Sequence, residues 1–132
     1  MRLYLDSSAL VKLIQREAES DALREFLRQH QTDQLVTCAL SRVEVLRSVY
    51  GGGDRALEHA RRQLSRLDQI VLSSALLDRA ATLRPEGPLR SLDAIHLAAA
   101  QLVGEELRAV VTYDRRMAEA AQSLGFALEA PE

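Results

Sequence analysis

Apolar residues in this chain fall into short runs of about three, separated by longer stretches in which they recur with the period of a helix. Leu3-Tyr4-Leu5, Leu35-Val36-Thr37, Ile70-Val71-Leu72 and Ala109-Val110-Val111 are too short to be helices and read as buried strands. Phe126-Ala127-Leu128, introduced by Gly125, is a fifth. The stretches between them predict helices over Ser8 to Ile14, Ser20 to Arg28, Ser41 to about Tyr50, Asp54 through Leu67, Ser74 to Leu83, Leu92 to Glu105 and Asp114 to Leu124. Ser41, Asp54 and Ser91 stand where N-caps are expected. The Leu92 to Glu105 segment is apolar nearly all round, so it belongs against the sheet. Strands alternating with helices predict an α/β fold, a three-layer α/β/α sandwich with a mostly parallel central sheet.

The breaks are equally readable. Gly51-Gly52-Gly53 ends one helix, and Arg84-Pro85-Glu86-Gly87-Pro88 is a loop. The glycine triplet lacks both the Gly-Lys-Ser/Thr ending of a phosphate loop and the spacing of a dinucleotide fingerprint, so neither nucleotide reading survives.

Composition narrows the class without naming a function. The 132 residues suit one domain spanning 1–132, large enough to form a core without disulfide or metal staples. No apolar run approaches the roughly 20 residues of a membrane span, and no secretory signal is expected, which makes the cytoplasm the default location. The single cysteine, Cys38, has no partner for an internal disulfide, and no Cys/His cluster has zinc spacing. With 17 basic and 19 acidic residues the net charge is -2, so any contact with nucleic acid must be local.

Four acids stand where a core does not require them. Asp6 follows the first strand, at the sheet edge where ligands of open α/β folds bind, although an N-cap role also accounts for it. Asp114 mirrors it beyond Ala109-Val110-Val111, with Thr112 nearby as Ser7 or Ser8 is near Asp6. Glu44 lies among Val43, Val45, Leu46 and Val49, and pairing with Arg42 or Arg47 is its structural alternative. Asp93 sits in the first turn of the most apolar helix, where the helix dipole alone favours an acid. In a parallel sheet, helix starts and strand ends share one edge, so all four are expected to converge.

Converging carboxylates repel unless a cation lies among them. An all-oxygen set without Cys or a well-placed His points to Mg²⁺ or Mn²⁺ rather than zinc, and the commonest chemistry of such sites is phosphodiester hydrolysis. His96, three residues after Asp93, reads as a satisfied core or supporting residue more readily than as a ligand or base.

The segments Leu-Asp-Ser-Ser-Ala-Leu at Asp6, Ser-Arg-Val-Glu-Val-Leu at Glu44, Leu-Asp-Ala-Ile-His-Leu-Ala-Ala-Ala at Asp93 and Val-Thr-Tyr-Asp-Arg-Arg-Met at Asp114 resemble PIN-domain ribonucleases, in particular VapC toxins of toxin–antitoxin pairs. The ordered set covers the whole chain. The resemblance implies that Asp6, Glu44, Asp93 and Asp114 bind Mg²⁺ or Mn²⁺ and form the catalytic set, with Ser7 and Thr112 as supporting polar groups. It also implies an RNA substrate cut internally, a VapB-type antitoxin that blocks the pocket, and a homodimer. Some relatives carry a further acid just after the position of Asp114, where this chain has Arg115 and Arg116.

An acidic pocket that handles a polyanion needs basic flanks. Arg90, Arg115 and Arg116 lie beside it in sequence and are expected to touch RNA phosphate. Two rival readings stand beside this one. A phosphatase using Asp6 as nucleophile is disfavoured because haloacid-dehalogenase-like sites want a second acid two residues on, where this chain has Ser8. A catalytically silent module that binds RNA or a protein partner is the other.

Overall fold

A computed structural model describes residues 1–132. Its five strands are β1 (Arg2–Leu5), β2 (Gln34–Cys38), β3 (Asp68–Ile70), β4 (Leu107–Val111) and β5 (Leu128–Glu129). Seven α-helices connect them: α1 (Ser7–Ile14), α2 (Ser20–Gln29), α3 (Leu40–Val49), α4 (Gly53–Ser65), α5 (Ser74–Ala81), α6 (Ser91–Val103) and α7 (Arg115–Ser123). Every strand pairing is parallel, in the order β3-β2-β1-β4-β5.

Side-chain alternation along the strands divides the core in two. Tyr4, Val36, Cys38 and Val110 face Leu76 and Ala80 of α5, Leu97 and Ala98 of α6, and Met117 and Ala120 of α7. Leu3, Leu5, Ala109 and Val111 face the opposite way, onto Leu10, Leu23, Val45, Val49 and Leu64 of α1 to α4. Period-two strands thus bury both faces under helices, and the result is the expected α/β/α sandwich with a sheet that is parallel throughout.

The topology positions the site. The chain runs outward from β1 through β2 to β3 on one side, then returns to place β4 on the other side of β1. Strand order therefore reverses between β1 and β4, and a crevice forms beyond the carboxyl ends of such a pair. Asp6 follows β1 and Asp114 follows β4 at this point.

Boundaries shift where the sheet, rather than a local run, decides pairing. β3 is Asp68–Ile70 because Val36, Thr37 and Cys38 of β2 meet Asp68, Gln69 and Ile70, leaving Val71 and Leu72 beyond the sheet and exposed. At the other edge Val110 and Val111 pair with Leu128 and Glu129, while Phe126 packs against the core ahead of the strand. The predicted caps at Ser41, Asp54 and Ser91 also move. Ala39, Gly52 and Arg90 hold those N-cap positions with no side-chain cap bond, and Ser41 instead shares a 2.6 Å hydrogen bond with Thr37. Gly51 and Gly52 form a 3₁₀ turn with Tyr50, and Gly53 opens α4 at a φ of 82°, in the left-handed region that glycine enters at no steric cost. No helix is long and apolar enough to cross a membrane.

Candidate metal centre

Asp6 is 2% exposed and each of its carboxylate oxygens has its own task. Oδ1 accepts the backbone N–H of Ala9 at 3.0 Å, capping α1, and the Ser8 hydroxyl at 2.6 Å. Oδ2 accepts the Thr112 hydroxyl at 2.6 Å. Asp114 divides its oxygens in the same way. Its Oδ1 caps α7 by accepting the N–H groups of Arg116 at 3.0 Å and Met117 at 3.3 Å, and its Oδ2 accepts from Arg90 at 2.6 Å. The cap and site readings of these two acids are therefore compatible, because a carboxylate has two oxygens.

Thr112 joins the two acids. Its hydroxyl donates to Asp6 and its Oγ1 accepts the backbone N–H of Asp114 at 3.1 Å. The Ser8 hydroxyl in turn accepts the N–H of Tyr113 at 2.9 Å. Ser8, not Ser7, is the serine that supports Asp6. The helix starts one residue earlier than its pattern suggests, which puts Ser7 first in α1 and leaves Ser8 to fold back on the capping carboxylate.

Asp93 lies in the first turn of α6, largely buried, and accepts from Arg90 Nε at 3.0 Å. One guanidinium thus spans Asp93 and Asp114. Glu44 does not pair with Arg42 or Arg47. Its Oε1 accepts Nε2–H of His96 at 2.6 Å, across 52 residues of sequence. The His96 ring is 1% exposed, and its Nδ1 lies 2.7 Å from the Tyr4 hydroxyl and 3.7 Å from Cys38 Sγ. Sequence reasoning missed that Tyr4 belongs to this network; a tyrosine rather than phenylalanine in an inner strand was the available signal.

The electrostatics follow from burial. Removal from water raises the Asp6 pKa, against which the Ser8 and Thr112 hydroxyls, the charge of His96 and the Ala9 amide hold it down. No basic side chain forms an ion pair with Asp6. Burial alone would lower His96, but hydrogen bonds with Cys38 and Glu44 and the charges of Cys38 and Asp6 reverse this and push it up to about 10. That direction favours the protonated ring, in which both nitrogens are donors.

The structure gathers Asp6, Asp93 and Asp114 into one chain of contacts through Thr112 and Arg90, with Glu44 tied to the same helix by His96. No three His, Cys, Asp or Glu side chains are close enough to enclose a metal ion. Arg90 occupies the ground between two of the carboxylates. The fit is one of donor chemistry: the four acids are all hard oxygen donors, as a hard divalent metal takes, and Asp6 among them is buried with a raised pKa and no ion-pair partner. Asp6, Asp93, Asp114 and Glu44 are the groups that could hold it.

The flanking arginines divide. Arg116 and Arg90 line a cleft of about 130 Å³ with Asp93, Pro88 and Leu89. Arg115 lines another of about 300 Å³ with Lys12, Thr112, Tyr113 and Asp114. Arg115 and Arg116 are exposed, whereas Arg90 is engaged with carboxylates.

Residues 3–123 match the family model described as PIN domain. The chain belongs to the PIN-domain family. Within it, the chain is 49% identical over 129 residues to Ribonuclease VapC46 of Mycobacterium tuberculosis, covering 98% of this chain and 97% of the relative. The PIN fold is also that of Mycobacterium tuberculosis VapC20, described as a sarcin-ricin loop cleaving toxin, with a TM-score of 0.76 at 17% identity over 98% of this chain and 99% of that one. A toxin–antitoxin complex from Klebsiella pneumoniae has a chain that superposes with a TM-score of 0.73 at 21% identity, covering 98% of each. At these identities the two structures speak for the PIN fold, and the ribonuclease of Mycobacterium tuberculosis speaks for the VapC group within it.

Proposed function

We propose that the chain acts, as one domain over residues 1–132, as a divalent-metal-dependent endoribonuclease toxin of the VapC type. The observation that carries this reading is Asp6, a buried carboxylate with raised pKa and no ion-pair partner, at the strand switch beside Asp114 and Asp93. The names of the relatives supply the substrate class, RNA.

Asp6, Asp93, Asp114 and Glu44 are assigned as the ligands of Mg²⁺ or Mn²⁺. When bound, such a metal lowers the pKa of a water and offsets charge on the leaving oxygen. The remaining work falls to the chain. Thr112 and Ser8 hold the Asp6 carboxylate in one orientation, and α1 and α7 do the same for Asp6 and Asp114 through their capped N-termini. His96 aims Glu44 from a rigid buried position. Arg115 and Arg116, on the first turn of α7, attract phosphate on either side of the acids.

The partners assigned are RNA, a VapB-type antitoxin and a second copy of the chain in a homodimer, all in the cytoplasm. Likeness to a chain of a toxin–antitoxin complex supports the antitoxin assignment. Purified protein, free of antitoxin, is incubated with a mixed RNA pool and Mg²⁺ or Mn²⁺. The expected result is internal cleavage that stops with chelator and falls to background in Asp6→Asn and Asp93→Asn. Cleavage surviving both substitutions would overturn the metal assignment, and tight RNA or antitoxin binding without cleavage under any metal would favour a silent module.

A further inference from the structure

Arg90 makes contacts that suit neither a surface arginine nor a phosphate ligand at rest. It is the N-cap residue of α6, and its guanidinium donates through Nε to Asp93 at 3.0 Å and through Nη2 to Asp114 at 2.6 Å. These are two of the four acids assigned to the metal, and they come from different helices. A guanidinium bridging them does part of what a cation does there: it suppresses the repulsion between two carboxylates at the end of a buried helix.

We infer that Arg90 is a resident counter-cation of Asp93 and Asp114, which gives up both carboxylates when a divalent ion binds them and then turns to the RNA phosphate. This rests on the metal assignment above and adds an exchange to it. Three observations bear on the exchange. The Arg90 side chain is 60% exposed, so its pairs are screened by water and individually weak. It closes a loop that contains Pro85, Pro88 and Gly87 at a φ of 84°, outside any helix or strand, so moving the side chain disturbs no regular element. Finally, the cleft it already lines holds a second arginine, Arg116, which forms no ion pair with any acid. A released Arg90 and Arg116 would face a phosphate from one small cleft, where the planar guanidinium fork suits a phosphate's oxygens.

Linkage gives the inference a signature. If metal and Arg90 compete for the same carboxylates, removing Arg90 must tighten metal binding, and if the freed side chain holds phosphate, the same substitution must weaken RNA binding. The test measures Mn²⁺ affinity by titration calorimetry in the absence of RNA, and the affinity for a short single-stranded RNA with Ca²⁺ in place of the activating metal. Arg90→Ala is expected to bind Mn²⁺ roughly three- to tenfold more tightly than wild type, the size of the two lost exposed pairs, and to bind RNA several-fold more weakly. Arg90→Lys, which keeps the charge but not the fork, is expected between the two for Mn²⁺. Unchanged or weaker Mn²⁺ binding in Arg90→Ala overturns the inference. A merely structural role is distinguished because it would weaken both affinities together. Should neither protein bind Mn²⁺ at all, the metal assignment fails and the exchange with it; equal binding by both proteins removes the exchange alone.

Discussion

The Thr112 hydroxyl donates to Asp6 Oδ2 at 2.6 Å while its oxygen accepts the Asp114 amide at 3.1 Å, so one side chain sets the spacing of the two acids that end the inner strands. The pairing of β1 with β4 makes this possible. Leu5 is in register with Val111, which brings Asp6 and Thr112, the next residue on each strand, side by side.

Thr112→Val therefore removes a donor to a buried charged group while keeping the side-chain shape. Hydrogen bonds to charged groups contribute about 1.5–3 kcal/mol, and a loss of about 2 kcal/mol is expected in urea unfolding of metal-free protein. Mn²⁺ binding is expected to weaken as well, because Asp6 then loses one of the groups that keep its pKa down. Thr112→Ser restores the hydroxyl and is expected to recover most of both. Equal stability of wild type and Thr112→Val would show that the contact does not order the site.

A second prediction concerns Glu44, whose orientation depends on a ring 52 residues away. His96→Leu fills the buried space but removes the ring nitrogen that meets the Tyr4 hydroxyl and leaves Glu44 unrestrained. If the ring acts by aiming Glu44, then His96→Leu and Glu44→Gln should each weaken Mn²⁺ binding, and the double variant should be little worse than either. A coupling of about 0.5–3 kcal/mol in the double-mutant cycle is the expected range for contacting residues. Additive losses would mean that His96 supports the fold and Glu44 acts independently of it. Tyr4→Phe, which removes only the hydroxyl, is expected to cost about 1–2 kcal/mol of stability.

These contacts mark the boundary of what the chain's pattern reveals. Asp6 and Asp114 were legible because a charged residue at the end of a short apolar run is a local anomaly, and Thr112 because it shares that end. The α/β/α layering was legible for the same reason, since strand and helix periods differ. The identity of the serine beside Asp6 was not. It depends on whether α1 starts at residue 7 or 8, a boundary that propensity does not resolve, and the start at Ser7 makes Ser8 the supporting group. Arg90 reads from the sequence as a neighbour of Asp93, but its second partner lies 24 residues away and periodicity carries no information about that contact. The bridge to two carboxylates adds to, and does not replace, the phosphate contact expected of it. The edge strands β3 and β5 were displaced by a residue or two because an edge is defined by the strand it pairs with, not by its own hydrophobicity.

The opposite edge of the sheet offers a prediction about acid stability. Asp33, just before β2, is buried and receives the guanidinium of Arg108 through both Nε and Nη2, the latter at 3.2 Å, with the Met1 amino group 3.3 Å away. These partners, Arg108 foremost, hold its carboxyl at about 2 against the ordinary 3.8. A folded-state pKa below the unfolded one means that the native state binds the proton more weakly. The contribution to stability is therefore complete above the unfolded value and disappears as pH falls toward the folded one, between about pH 4 and pH 2. Allowing for solvent around the half-exposed arginine, its size is about 1–2 kcal/mol. Asp33→Asn is expected to be less stable than wild type by that amount at about pH 7, with a gap that narrows below about pH 4 and closes near pH 2. Urea unfolding of both proteins across that range measures it, and a gap independent of pH would assign the loss to packing instead of charge.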